Sequence, residues 1–217
     1  MYGYQRYVRV SAYRGASGAN SAGGGTGLKV VKRMQSATGT REGEITPMPS
    51  NARWETLNVD GVDMDVFIDE PLAAGPHPAV VVAHHRAGND AATTRFVQDL
   101  AGNGYVAATP HLHHRRPKGE DTHESIANLD DNQIVADLNA TVALLQGMDS
   151  VDNDRMGIAG HCMGGRVSFL GAAEIEAFKC NVAYYSGNMF KALGSNDAPP
   201  FDKLDKLRGP SLGFFGN

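Results

Sequence analysis

The stretch GIAGHCMGGRV, residues 157–167, sets Cys162 at the centre of a Gly-x-Cys-x-Gly-Gly turn. The apolar run 156–159 before it has the character of a strand, and the run 166–173 after it has that of a helix. A strand, a tight turn and a helix in this order strain the central residue. They lift its side chain above a sheet edge, where it can act as a nucleophile. Gly160 and Gly164 allow the strand and the helix to approach closely. The backbone N–H of Met163, at the helix start, is placed to hold an oxyanion. The same helix terminus favours a thiolate. The plainer reading is a tight turn that holds a buried cysteine.

A thiol at such a turn needs a sheet to carry it, and the rest of the chain supplies the pattern of one. Residues 54–71, WETLNVDGVDMDVFIDEP, alternate about Asp60-Gly61 and predict a β-hairpin. HPAVVVAHH is a short continuous apolar run of the kind buried on both faces of a sheet. Asp90 is placed to cap a helix over 91–101 with Phe96, Val97 and Leu100 on one face, ended by Gly102 and Gly104. YVAATP predicts the next strand. Residues 123–146 contain a helix with Ile134, Val135, Leu138, Val142 and Leu145 at helical spacing. RMGIAG, CNVAYYSG and GPSLGFFG predict three more strands, with one of Tyr184 and Tyr185 facing the core and Cys180 a buried packing residue.

A hairpin followed by alternating strands and helices implies an α/β fold with a mostly parallel, doubly wound sheet covered on both faces. Right-handed crossovers bring the loops after the strands to one edge, where open α/β sheets bind their ligands. His84, His85 and Arg86 end one strand, His111 the next and Cys162 a third. The polar groups therefore converge where a site is expected.

Composition bounds the rest. The 217 residues suffice for one sizeable domain, and the apolar content of 41% fits a globular protein without a membrane-spanning run. The net charge of -4 is unevenly spread: residues 1–41 carry seven basic residues and no acid, leaving 13 basic and 24 acidic residues in 42–217. An acidic body argues against nucleic acid as the partner. Two cysteines cannot build a disulfide framework, and nothing at the amino terminus reads as a secretory signal, so the expected setting is cytoplasmic. Residues 1–41 form a basic segment whose SGANSAGGGTGLK stretch is Gly/Ser-rich and lacks core periodicity, which predicts disorder. A basic tail, an organelle transit peptide and a start codon at Met34 all remain open for it.

At the elbow the chain resembles the dienelactone hydrolase family of the α/β-hydrolase fold. GHCMGGRVSFLGAA is similar to that family's nucleophile elbow and helix. VVVAHHRAGND followed by FVQDLAGNGYVAATPHL is similar to its oxyanion loop, helix and next strand, while VAYYSG and GPSLGFFGN fit the two strands after the elbow. The likeness runs from about residue 54 to the end. It implies a partial α/β-hydrolase domain over 42–217 and a hydrolase of small-molecule esters or lactones. Cys162 is the implied nucleophile of a Cys-His-Asp triad that passes through an acyl-enzyme. Met163 and Arg86 are implied as the backbone oxyanion donors, with no cofactor and no metal.

Two departures follow from the resemblance. Where the family commonly has a glutamate that pairs with the resting thiol, this chain has His85. That imidazole could take the thiol proton, stabilise a thiolate, or be a spectator. The family's triad aspartate and histidine match no residue up to Asn217, so both are expected beyond it, with the sheet incomplete on its C-terminal side. A non-catalytic α/β fragment or binding module is the alternative to an enzyme.

His84, His85, His111, His113, His114 and His161 could meet at the same edge, as zinc ligands would. The sequence has no H-E-x-x-H and no regular ligand spacing. HLHH lies in a basic loop, which predicts solvated histidines, and Arg115 and Arg116 beside them are expected on a solvated surface.

Overall fold

The computed structural model describes residues 49–117, 128–194 and 198–216. The segment 1–41 lies outside these residues. Seven strands form one sheet: β1 (Ser50–Val59), β2 (Val62–Pro71), β3 (His77–Ala83), β4 (Val106–Pro110), β5 (Val151–His161), β6 (Phe178–Tyr184) and β7 (Ser211–Phe214). Their order is β1-β2-β4-β3-β5-β6-β7. β1, β2 and β4 are antiparallel neighbours, and β4 to β7 run parallel through β3.

The predicted hairpin forms with Val59 opposite Val62. Asp60 and Gly61 both take positive φ, 51° and 83°, the conformation that a two-residue turn matching the strand twist demands. β3 is buried as its unbroken apolar run requires, with Val81, Val82 and Ala83 all fully inaccessible.

Helix α1 (Ala91–Gly102) covers one face of the sheet. Asp90 caps it, accepting from the Thr93 N–H at 2.9 Å. Its apolar stripe buries Val97 against Phe67, Val82 and Ala107, with Phe96 and Leu100 beside them. Burial of a side chain such as Val97 stabilises by about 1.5–3 kcal/mol.

Helices α2 (Asp131–Gln146) and α3 (Met163–Glu174) cover the other face. Ile134, Leu138 and Leu145 of α2 pack with Val167 and Leu170 of α3 onto Ile158 and Phe178. α2 begins at Asp131 after the cap Asp130, within the span 123–146, and residues 118–127 lie outside the described ones. Asp130 accepts from Asn132 N–H at 2.8 Å and so satisfies an orphan amide of the first turn. A buried ion pair ties the two helices. Arg166 of α3 meets Asp131 of α2 through Nη1–Oδ1 at 2.5 Å and Nη2–Oδ2 at 2.9 Å. Arg166 also donates to the Lys191 and Asn188 carbonyls.

Two core assignments are corrected. Cys180 is exposed rather than buried. Strand alternation gives Asn181 and Ala183 to the covered face beneath α3 and turns Cys180 to the opposite one. Neither tyrosine enters the core. β6 stops at Tyr184, which stacks between His161 (4.6 Å) and Phe214 (4.9 Å), and Tyr185 leaves the sheet with a φ of 39° and is exposed.

Candidate active site

From β3 the chain crosses to β4 on one side, and β5 lies on the other. Such a reversal opens a crevice at the carboxyl ends of the strands. Cys162 stands in it, directly after β5, with φ 56° and ψ −114°. That is a conformation a non-glycine residue adopts only when its surroundings enforce it, at about 1–3 kcal/mol.

The enforcement is visible. The Cys162 N–H donates to the Tyr184 carbonyl at 2.9 Å, and its own carbonyl accepts from the Gly165 and Arg166 N–H groups at 3.1 and 3.3 Å. A Cβ on Gly160 would overlap the Gly164 carbonyl, and one on Gly164 would overlap the carbonyl of Ala83 on β3. The glycines therefore let the elbow seat itself against the end of β3. Cys162 is half-buried. Met163 is the first residue of α3, so its N–H has no partner within the helix.

The loop after β3 is held by two histidines, His84 and His113. His84 is almost completely buried. Its Nε2 accepts the Leu112 N–H at 3.0 Å, which fixes the proton on Nδ1, and Nδ1 donates to the His85 carbonyl at 2.6 Å. The Gly88 N–H donates to that same carbonyl at 3.0 Å. The peptide carrying the Arg86 N–H is thus pinned through its other end, because C=O and N–H point opposite ways across a trans peptide. His113 Nε2 donates to the Arg86 carbonyl at 3.0 Å and fixes the next peptide. Burial, reinforced by the charge of His113, lowers His84 to about 3, and burial with the nearby Arg116 charge lowers His113 to about 4. Both rings are neutral near pH 7.

His85 points elsewhere. Its Nε2 donates to Asp90 Oδ2 at 2.8 Å. Burial would raise the Asp90 carboxyl, but the Thr93 N–H, the His85 ring and the Thr93 hydroxyl outweigh it and hold Asp90 at about 2. Sequence reading gave Asp90 only its capping role. The five-residue spacing from His85, across one loop, was the signal for the second.

The six histidines do not gather as ligands. His84, His111 and His113 form a cluster of rings 4.9–6.1 Å apart. Two of the three spend ring nitrogens on backbone groups. His161 stacks on Tyr184. Among the described residues no group of His, Cys, Asp and Glu is arranged to hold a metal ion.

The HLHH loop is also not solvated as expected. The His114 side chain is 3% exposed; its Nδ1 faces the Asp63 carbonyl at 3.2 Å, and its Nε2 lies 2.7 Å from Arg115 Nη1 and 3.1 Å from Asp137 Oδ1. Arg115, 17% exposed, binds the same buried carboxylate at 2.6 Å and reaches Asp60 at 3.3 Å. A carboxylate buried on α2 needs such partners, and they fold the basic loop inward. Arg116 is likewise half-buried rather than on a solvated surface.

A model of the dienelactone hydrolase family matches residues 64–217. A Methylorubrum extorquens protein, provisionally named a carboxymethylenebutenolidase, is 31% identical over 164 residues, 72% of this chain and 56% of that protein. A Synechocystis protein of the same provisional name is 29% identical over 69% of this chain and 65% of its own length. The chain therefore spans less than two thirds of either relative. A solved Klebsiella pneumoniae structure, provisionally described as a dienelactone hydrolase, superposes with a TM-score of 0.68 at 27% identity, covering 76% of this chain and 72% of that one. A dienelactone hydrolase-like promiscuous phosphotriesterase from metagenomic libraries has the same fold, with a TM-score of 0.64 at 16% identity, over 76% of this chain and 81% of its own. Among the described residues no helix is long and apolar enough to cross a membrane.

Proposed function

Because the chain belongs to the dienelactone hydrolase family, we propose that it hydrolyses small-molecule esters or lactones with Cys162 as the nucleophile. The observation that carries this reading is the positive-φ turn that sets Cys162 between β5 and the N-terminus of α3, at the crevice of the sheet. The cysteine sulfur attacks the substrate carbonyl carbon, and the N–H groups of Met163 and Arg86 hold the resulting oxyanion. Collapse expels the alcohol, or opens the lactone ring, and leaves a thioester on Cys162. Water then releases the acid. The names of the two relatives favour a lactone as substrate. The reaction as proposed uses protein groups alone, in a cytoplasmic setting, without nucleic acid or membrane as partner.

Incubation with p-nitrophenyl acetate tests it. The expected result is a stoichiometric burst of p-nitrophenolate with the acetyl group found on Cys162 by mass spectrometry, and no burst from Cys162→Ala. An equal burst from Cys162→Ala, or acetylation of Cys180 in place of Cys162, would leave the binding-module reading in possession.

A further inference from the structure

We propose that the outer edge of β1 is a self-association surface, on which a second copy of this chain adds its own β1, antiparallel, about a two-fold axis at Trp54. Three strands separate this edge from β5, which carries Cys162, so the surface stands or falls apart from the reaction there.

The edge follows from the hairpin. Val59 opposite Val62 closes a two-residue turn, and bonded and non-bonded pairs alternate from there. Val59, Leu57, Glu55, Arg53 and Asn51 therefore spend their backbone groups on β2. Ser50, Ala52, Trp54, Thr56 and Asn58 aim theirs outward. The Pro49 carbonyl, in step with the inward set, accepts from the Leu72 N–H at 2.8 Å. Among the described residues no strand pairs with the outward side, because β1 ends the sheet order.

Native sheets blunt such an edge with lysine, proline, a bulge or a short strand. β7, the other edge, has four residues. β1 has ten, pairs with β2 through all of them without a bulge, and holds no lysine and no proline. Its only charges are Arg53 and Glu55.

Those two charges select the occupant and the register. With the axis at Trp54, Arg53 falls opposite Glu55 of the second copy, and symmetry makes the pair twice. Only even-numbered residues offer outward bonds, so the neighbouring registers are centred on Arg53 or on Glu55. Either one sets a charge directly opposite its own copy, which is unfavourable. Arg53 already holds Glu55 Oε1 at 2.8 Å, yet its side chain stays 31% exposed and that of Glu55 41%. A guanidinium has donors enough for a further carboxylate.

The same register matches the uncharged face. Ser50 meets Asn58, Ala52 meets Thr56, and Trp54 meets its own copy on the axis. Trp54 is 53% exposed and lies 5.1 Å from Phe67. Two Trp54–Phe67 pairs then join into one aromatic cluster, a favourable cross-strand contact.

Trp54 is the only tryptophan of the chain, so its emission reports on this edge. Sedimentation and Trp54 fluorescence, followed together on the 217-residue chain from micromolar to near-millimolar concentration, test the proposal. The expected result is a sedimenting mass that rises to twice 23.1 kDa, with the emission moving to the blue over the same range. Ala52→Pro removes an outward N–H where an edge strand tolerates proline. Glu55→Arg sets like charges across the join. Both variants should sediment at 23.1 kDa where the unmodified chain is a dimer, with unchanged far-ultraviolet circular dichroism. A chain that stays at 23.1 kDa throughout overturns the proposal, whether its edge is bare or covered by its own residues 1–48. A dimer whose Trp54 emission does not move with concentration overturns it too. So does one that persists in both natively folded variants, since it joins through another surface.

Discussion

Protonating His84 should unfasten the loop that carries Arg86. The ring is buried, it accepts the Leu112 N–H on Nε2, and it is lowered to about 3 by burial and by the neighbouring His113, His111 and His85. An unfolded chain binds a proton on the same ring near its ordinary value of about 6.5. The folded value is the lower one, so falling pH favours the unfolded state. The stabilisation is complete above about pH 6.5 and is lost as pH falls toward 3, at about 1.4 kcal/mol per pH unit. Between pH 7 and pH 5 His84 alone should remove about 2 kcal/mol of stability. His113, lowered to about 4, acts in the same direction.

Urea titrations of the wild-type chain and of His84→Gln at both pH values isolate the effect of His84. At pH 7 the variant should be less stable by about 1–3 kcal/mol, because one of two buried backbone partners loses its hydrogen bond. Between pH 7 and pH 5 the variant should lose about 2 kcal/mol less than the wild type. Equal losses in the two proteins would refute the reasoning, since a neutral buried His84 is what produces the difference.

Two further outcomes are expected. Arg166→Met should lower stability by about 3–5 kcal/mol in denaturant titration, since it leaves the fully buried Asp131 carboxylate without its cation, and Asp131→Leu in the same chain should recover most of the loss. Gly164→Ala should abolish the acylation burst even in chains whose far-ultraviolet circular dichroism is unchanged, because the added methyl meets the Ala83 carbonyl and displaces the elbow.

The sequence by itself determined those features that short-range physics governs. Asp60-Gly61 specified a hairpin because few residues take two successive positive φ values. The unbroken apolar run of β3 specified a doubly covered parallel strand, and Asp90 and the stripe above it specified α1. Gly160, Gly164 and the helix after them specified the elbow, because close backbone contact tolerates no Cβ there. Charge and hydrogen-bond partnership were decided only by the tertiary structure. The basic HLHHRR loop read as solvated, yet His114 and Arg115 turn inward to Asp137, more than twenty residues away. His84 finds the amide of Leu112 across two strands whose adjacency only the sheet order sets. Cys180 read as core until the position of α3 decided which face of β6 was covered. A polar side chain is stable beside any group that satisfies it, so its type predicts that it has a partner. Which partner it has depends on the fold that brings distant segments within about 3 Å.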